Sequence, residues 1–91
     1  MYFVLLYEVV ADFINRRAPF RPVHLKMLEE AQRRGELVMA GAFSDPVDGA
    51  VLVFRAGDAG VVTRFAETDP YVVNGLVTNW RVRGWNVVIG G

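Results

Sequence analysis

The run from Tyr2 to Val10 is apolar at every position except Glu8, and it constrains the fold more than any other stretch. Its β-branched and aromatic content favours a strand, and the near absence of alternation predicts one covered on both faces. A chain of 91 residues has a single core to offer and makes one domain, residues 1–91. Helices can cover one face of a sheet built on this strand. Something else must cover the other.

The clearest helix runs from Pro22 to Arg34. Pro22 suits the first turn, where its missing N–H costs nothing, and Gly35 supplies a left-handed stop. Arg33 and Arg34 lie in the last turn, complementing the helix dipole. At 100° per residue, Leu25, Leu28 and Ala31 share one face. Arg21 and His24 project from that face, whereas Lys26, Glu29, Glu30 and Arg33 lie away from it. The only histidine of the chain is therefore expected to look inward.

Around this helix the remaining elements follow from turn chemistry. Asp12 to Pro19 reads as a loop or frayed turn. Leu37 to Phe43 reads as a second strand and Ala50 to Arg55 as a third. Between them, Ser44-Asp45-Pro46-Val47-Asp48-Gly49 carries both Asp-Pro and Asp-Gly signals, which makes the pair a hairpin. Asp58 is the expected N-cap of a second helix through about Glu67, with Val61, Val62, Phe65 and Ala66 on one side. Asp69-Pro70 repeats that start signature, and Gly75 stops the segment after about one turn. Val77 to Ile89 reads as the last strand, interrupted by Gly84, where a bulge or close backbone approach is expected. The order is β-α-β-β-α-β, a ferredoxin-like antiparallel α+β fold.

One face of such a sheet carries the helices. The other is expected to be covered by a second copy of the chain, giving a homodimer through the open sheet face. No run reaches the roughly 18 apolar residues of a membrane span. Met1 leads into a strand with no basic leader, so the expected compartment is the cytoplasm. Ten basic and ten acidic residues cancel, which argues against nucleic acid as a partner. Cysteine is absent, removing disulfides and thiolate chemistry. A single histidine without clustered carboxylates does not make a metal site, and no glycine-rich phosphate loop occurs, so no metal or cofactor is expected.

The ordered set of motifs resembles the YCII-related family. Arg17 and Arg21 precede His24-Leu25; Gly35-Glu36-Leu37 leads to Gly41; Asp48-Gly49-Ala50 follows; Asp69-Pro70-Tyr71 with Gly75-Leu76 comes next; and Trp85 lies in the last strand. The match spans nearly the whole chain in order and spacing. The resemblance implies a dimeric α+β barrel, similar in fold to muconolactone isomerase-like proteins. It also implies an active site built on the histidine and on the aspartate of the Asp-Pro motif, here His24 and Asp69. Members of the family have been discussed as small lyases and dehalogenating enzymes.

The chemistry of such a pair is acid–base. An imidazole exchanges protons near neutral pH, and a carboxylate within hydrogen-bond reach fixes its tautomer. Ser44 sits in a turn with no histidine nearby in sequence, so a Ser-His-Asp arrangement is a poor fit. Attack by Asp69 itself, as in hydrolytic dehalogenation, is a second chemical route. A plain helix cap explains Asp69 equally well, at about 1 kcal/mol of stability, and an inward histidine can be a satisfied core residue. Arg17 and Arg21 suit bidentate recognition of a carboxylate, or else pair with Asp12 or Glu8 at the surface. Tyr7, Tyr71 and Trp85 are candidate pocket walls and equally candidate core residues. The expectation is a small acid–base enzyme of lyase, isomerase or hydrolase type acting on a small, carboxylate-bearing metabolite. The alternative is a non-catalytic ligand-sensing or interaction module using the same pocket.

Overall fold

A computed structural model describes all 91 residues. The chain runs β1 (Tyr2–Val9), α1 (Phe13–Arg16), α2 (Arg21–Arg33), β2 (Leu37–Ala42), β3 (Gly49–Arg55), α3 (Ala59–Thr68), α4 (Pro70–Val73) and β4 (Val77–Trp85). The four strands form one sheet in the order β2-β3-β1-β4 with every neighbouring pair antiparallel. This is the ferredoxin-like α+β arrangement expected from the element order.

Register decides which side chains meet. Along β1, Phe3, Leu5 and Tyr7 lie opposite Phe54, Leu52 and Ala50 of β3. Side chains directly opposite share a face, and this one carries the helices. Phe3, Leu5, Tyr7, Leu52 and Phe54 are all buried there, with Ala31 of α2 and Val62, Phe65 and Ala66 of α3 packed over them. Phe54 and Phe65 meet edge to face at 5.2 Å.

The opposite face is apolar in its middle and basic along one side. Val4 and Leu6 lie opposite Val53 and Val51 of β3, but opposite Arg83 and Arg81 of β4. Met39 and Trp85 are 63% and 48% exposed. β1 is thus apolar on both faces, as expected of the Tyr2 to Val10 run, and β3 is too, whereas β4 is not.

Helix ends follow the local signals. Gly35 (φ +78°) and Gly75 (φ +75°) adopt left-handed backbone after α2 and α4, where a Cβ would be strained. Asp58 caps α3 by accepting from the Gly60 amide at 2.7 Å. Asp69 caps α4 by accepting from the Tyr71 amide at 3.0 Å.

Three details differ from the sequence expectation. The stretch 12–19 contains the one-turn helix α1, whose Phe13 is buried; four residues are too few for a periodic signal. The last strand ends at Trp85, and Val88 and Ile89 are 92% exposed. They have no partner strand to pair with, because β1 begins at Tyr2, opposite Trp85. Gly84 is neither bulged nor crowded: it pairs with Phe3 in register, and a Cβ there would meet nothing within 4 Å. The irregularity in this pair of strands sits instead at Glu8/Val9.

The crowded glycine is Gly49, where a Cβ would fall 2.6 Å from the Tyr7 carbonyl oxygen. That oxygen belongs to the central strand and cannot move aside cheaply. Gly49→Ala is expected to lower stability by about 1–3 kcal/mol. Gly84→Ala is expected to be neutral or stabilising by up to about 1 kcal/mol. Chemical denaturation checks the pair, and the reverse ranking would contradict the register described.

Candidate functional site

The Asp-Pro step between α3 and α4 turns the chain sharply enough to bury its aspartate. Asp69 is wholly inaccessible to solvent, the only charged side chain in the core. A buried carboxylate must find hydrogen-bond donors or cost several kcal/mol. Asp69 has three donors. The Tyr7 hydroxyl of β1 donates to Oδ2 at 2.8 Å, the Tyr71 amide of α4 to Oδ1 at 3.0 Å, and His24 Nδ1 of α2 lies 2.9 Å from Oδ1.

The carboxylate accepts from each of these groups, which assigns the His24 proton to Nδ1. The imidazole then offers Nε2, with a free lone pair, away from Asp69. The ring is further held by stacking on Tyr71, with centroids 3.8 Å apart and planes 15° from parallel. Phe13 meets Tyr71 edge to face at 5.4 Å, and the Arg17 guanidinium lies 5.3 Å above the Phe13 ring. A column of rings therefore runs from α1 through α4 to α2. It fixes His24 at side-chain positions a hydrogen bond alone would leave free to swivel.

His24, at 12% side-chain exposure, lies at the edge of a cavity of about 280 Å³. Tyr7, Tyr71, Arg17 and Arg21 line the same cavity. Six of the seven candidate residues, Asp69 behind the wall included, are thus brought together. Arg17 and Arg21 pair with neither Asp12 nor Glu8; the ion pairs of the chain are His24–Asp69 and Arg34–Glu36. Trp85 is not in the group, because its register with Tyr2 places it on the opposite sheet face.

The rest of the wall is apolar. Leu25 and Leu28 supply it from α2, and Ala40, Ala42, Ala50 and Leu52 from the β2–β3 hairpin. Leu25, expected on the buried face, is 37% exposed because it borders this opening. The hairpin residues carry no chemistry of their own, yet they make the cavity. Ala42 lies opposite Ala50, and two methyl side chains leave open the space that larger pairs fill elsewhere in the sheet. The run Ala40-Gly41-Ala42 is the sequence signal for it.

Burial and the neighbouring Asp69 carboxylate push the Tyr7 hydroxyl far above its ordinary range. Burial also raises Tyr71, while the Arg17 and Arg21 guanidinium groups oppose it and Asp69 adds a smaller upward push. Both phenols are therefore hydrogen-bond donors, not bases, at neutral pH. No group of three or more His, Cys, Asp or Glu side chains gathers anywhere as a metal-ion cage, and no helix is long and apolar enough to cross a membrane.

Residues 1–86 match the family model of the YCII-related domain. Among solved structures, the chain is similar to TftG, a 5-chloro-2-hydroxyhydroquinone dehydrochlorinase from Burkholderia phenoliruptrix AC1100 in complex with 2,5-dihydroxybenzoquinone. The TM-score is 0.79 at 21% identity, over 94% of each chain. It is also similar to a candidate antibiotic biosynthesis monooxygenase from Deinococcus radiodurans, with TM-score 0.54 at 12% identity over the whole of both chains. No curated protein sequence matches it. Likeness at these identities establishes a shared fold.

Two outcomes follow from the buried carboxylate. Asp69→Ala is expected to cost about 3–5 kcal/mol, since it strands the Tyr7 hydroxyl and His24 Nδ1 without an acceptor. Asp58→Ala, which removes only an exposed cap, should cost about 1 kcal/mol. Equal losses would reduce Asp69 to a helix cap.

The second outcome concerns alkaline pH. Burial holds the Tyr7 and Tyr71 protons above the ordinary tyrosine range, whereas the unfolded chain releases them at about pH 10. The unfolded state then binds fewer protons, so stability falls as pH rises beyond about 10. Tyrosinate absorbance from these two residues should appear together with loss of tertiary structure. Ionisation of Tyr7 ahead of unfolding would contradict the geometry.

Proposed function

The chain belongs to the YCII-related domain family, and we propose that it is a small acid–base enzyme whose proton-transfer group is His24. Asp69 orients the imidazole, Tyr7 holds Asp69, and Arg17 or Arg21 takes the negative charge of a small carboxylate-bearing metabolite. The observation that carries this reading is the 2.9 Å contact between His24 Nδ1 and the buried Asp69 carboxylate, beside a cavity with two unpaired guanidinium groups.

The arrangement suits proton transfer for three physical reasons. The Asp69 contact leaves Nε2 as the ring atom available to a ligand. A carboxylate behind the ring stabilises the imidazolium that forms when Nε2 takes a proton. The guanidinium groups stabilise negative charge developing on the substrate, which is where electrostatic catalysis acts. The likeness to the dehydrochlorinase TftG favours elimination among the available reactions. In that step His24 Nε2 removes a proton from carbon, the C–H electron pair becomes the new double bond, and the leaving group departs with its own pair. Isomerisation would use the same first half.

A homodimer through the open sheet face belongs to the same reading. Val4, Leu6, Val51 and Val53 form the apolar middle of that face, and Met39 stands on it at 63% exposure. A second copy offers a matching surface. Light scattering should give a dimer at micromolar concentration, and Met39→Asp should shift it toward monomer. A clean wild-type monomer would remove this part of the proposal.

The enzymatic part is tested without knowing the substrate. Small carboxylates that raise the melting temperature are incubated in deuterium oxide, and loss of carbon-bound proton signal is followed by NMR. Exchange is expected with the wild type and should fall by about 10²–10⁴-fold in His24→Ala while binding persists. Exchange that survives the substitution would dismiss His24 as the acid–base group. Binding without any exchange would favour a ligand-sensing module.

A further inference from the structure

Tyr71 is 3% exposed, and its hydroxyl is the one buried side-chain polar atom without a hydrogen-bond partner. Every other buried polar side chain is satisfied, including the Tyr7 hydroxyl on the far side of Asp69. Tyr71 also lines the cavity, beside Arg17, Arg21 and His24. Both guanidinium groups act on the hydroxyl, and Arg21 is the one within reach of a hydrogen bond to it, yet no bond of ordinary length and angle is formed. An orphaned hydroxyl loses its bonds to water on folding and gains nothing in return. Such a group is retained at a cost unless something else completes it.

We propose that the Tyr71 hydroxyl is a specificity-determining donor: with Arg17 and Arg21 it takes the anionic oxygen of the ligand, and so restricts the site to small oxyacids. This rests on the cavity being the binding site, as in the proposed function, but not on catalysis. The hydroxyl has one proton to give and oxygen lone pairs to receive with. When an anionic oxygen enters, the hydroxyl donates to it and can accept an N–H from Arg21 at the same time. The ligand thereby satisfies Tyr71 and draws Arg21 into hydrogen-bonding position.

The geometry narrows the ligand further. Tyr71 and His24 are stacked at 3.8 Å, and both reach the one cavity. Their polar edges are consequently within one small molecule's length of each other. A ligand whose acid oxygen is held by Tyr71 presents the atoms beside the acid group to His24 Nε2. The substrate class is an acid that reacts next to its carboxylate, with an apolar body against Leu25, Leu28 and Leu52.

The test compares Tyr71→Phe with the wild type by NMR titration of benzoate and toluene, which share the ring and differ in the acid group. The variant is expected to fold, because it deletes an unsatisfied atom, and its melting temperature without ligand should stay level or rise. Its benzoate affinity should fall about tenfold, with toluene binding unchanged or tighter. Arg21→Gln should weaken benzoate in the same way. Benzoate bound equally by wild type and Tyr71→Phe would overturn the inference. So would a wild type that binds no benzoate at millimolar concentration, or a Tyr71→Phe variant that melts lower. A protein that binds benzoate through Tyr71, yet exchanges no carbon-bound proton of any small carboxylate that stabilises it, would favour the ligand-sensing module and leave this inference standing.

Discussion

One buried carboxylate organises the helix side of this sheet. Asp69 binds the Tyr7 hydroxyl of β1, His24 of α2 and the Tyr71 amide of α4. Those three elements lie far apart in sequence, at residues 2–9, 21–33 and 70–73. Because each bond ends on a buried oxygen, none can be traded for water without a large penalty. The packing of α2 and α4 on the sheet is thus specified by polar geometry as well as by apolar contact. It is the feature that distinguishes this core from any other hydrophobic layer of the same size.

The same carboxylate divides the site into a fixed half and an available half. Tyr7 and the Nδ1 side of His24 are committed to Asp69. His24 Nε2, the Tyr71 hydroxyl, Arg17 and Arg21 are not committed to Asp69, and all four residues line the cavity. Tyr7 illustrates how environment decides role: sequence placed it among ligand-binding candidates, and the structure shows its hydroxyl engaged with Asp69 although its ring still lines the cavity. Tyr71, one ring away, presents a hydroxyl with no such engagement.

Much of the architecture was legible in the sequence because it rests on local chemistry. Helix α2 is announced by Pro22 and Gly35, α3 by Asp58, and the hairpin by its Asp-Pro and Asp-Gly steps. The inward direction of His24 follows from helical periodicity alone. Its meeting with Asp69 does not. That contact joins residues 45 positions apart, and only the family resemblance pointed to it. Helix α1 was missed because four residues carry no period, yet its Phe13 steadies both Tyr71 and Arg17. Gly84 misled for the opposite reason: glycine permits a bulge without requiring one. The cavity itself was hidden in small residues, since absence of bulk in Ala40, Ala42 and Ala50 matters only once the strands are paired.

Proton transfer by His24 requires that Asp69 hold the imidazole proton at Nδ1 and leave Nε2 to the ligand. Nitrogen-15 NMR of the imidazole, recorded where the ring is neutral, reads the tautomer directly. The wild type should carry its proton on Nδ1 with Nε2 bare, and Asp69→Ala should shift the ring toward the Nε2-protonated form that free imidazole side chains favour. A wild-type ring protonated at Nε2, or a tautomer indifferent to Asp69, would contradict that arrangement.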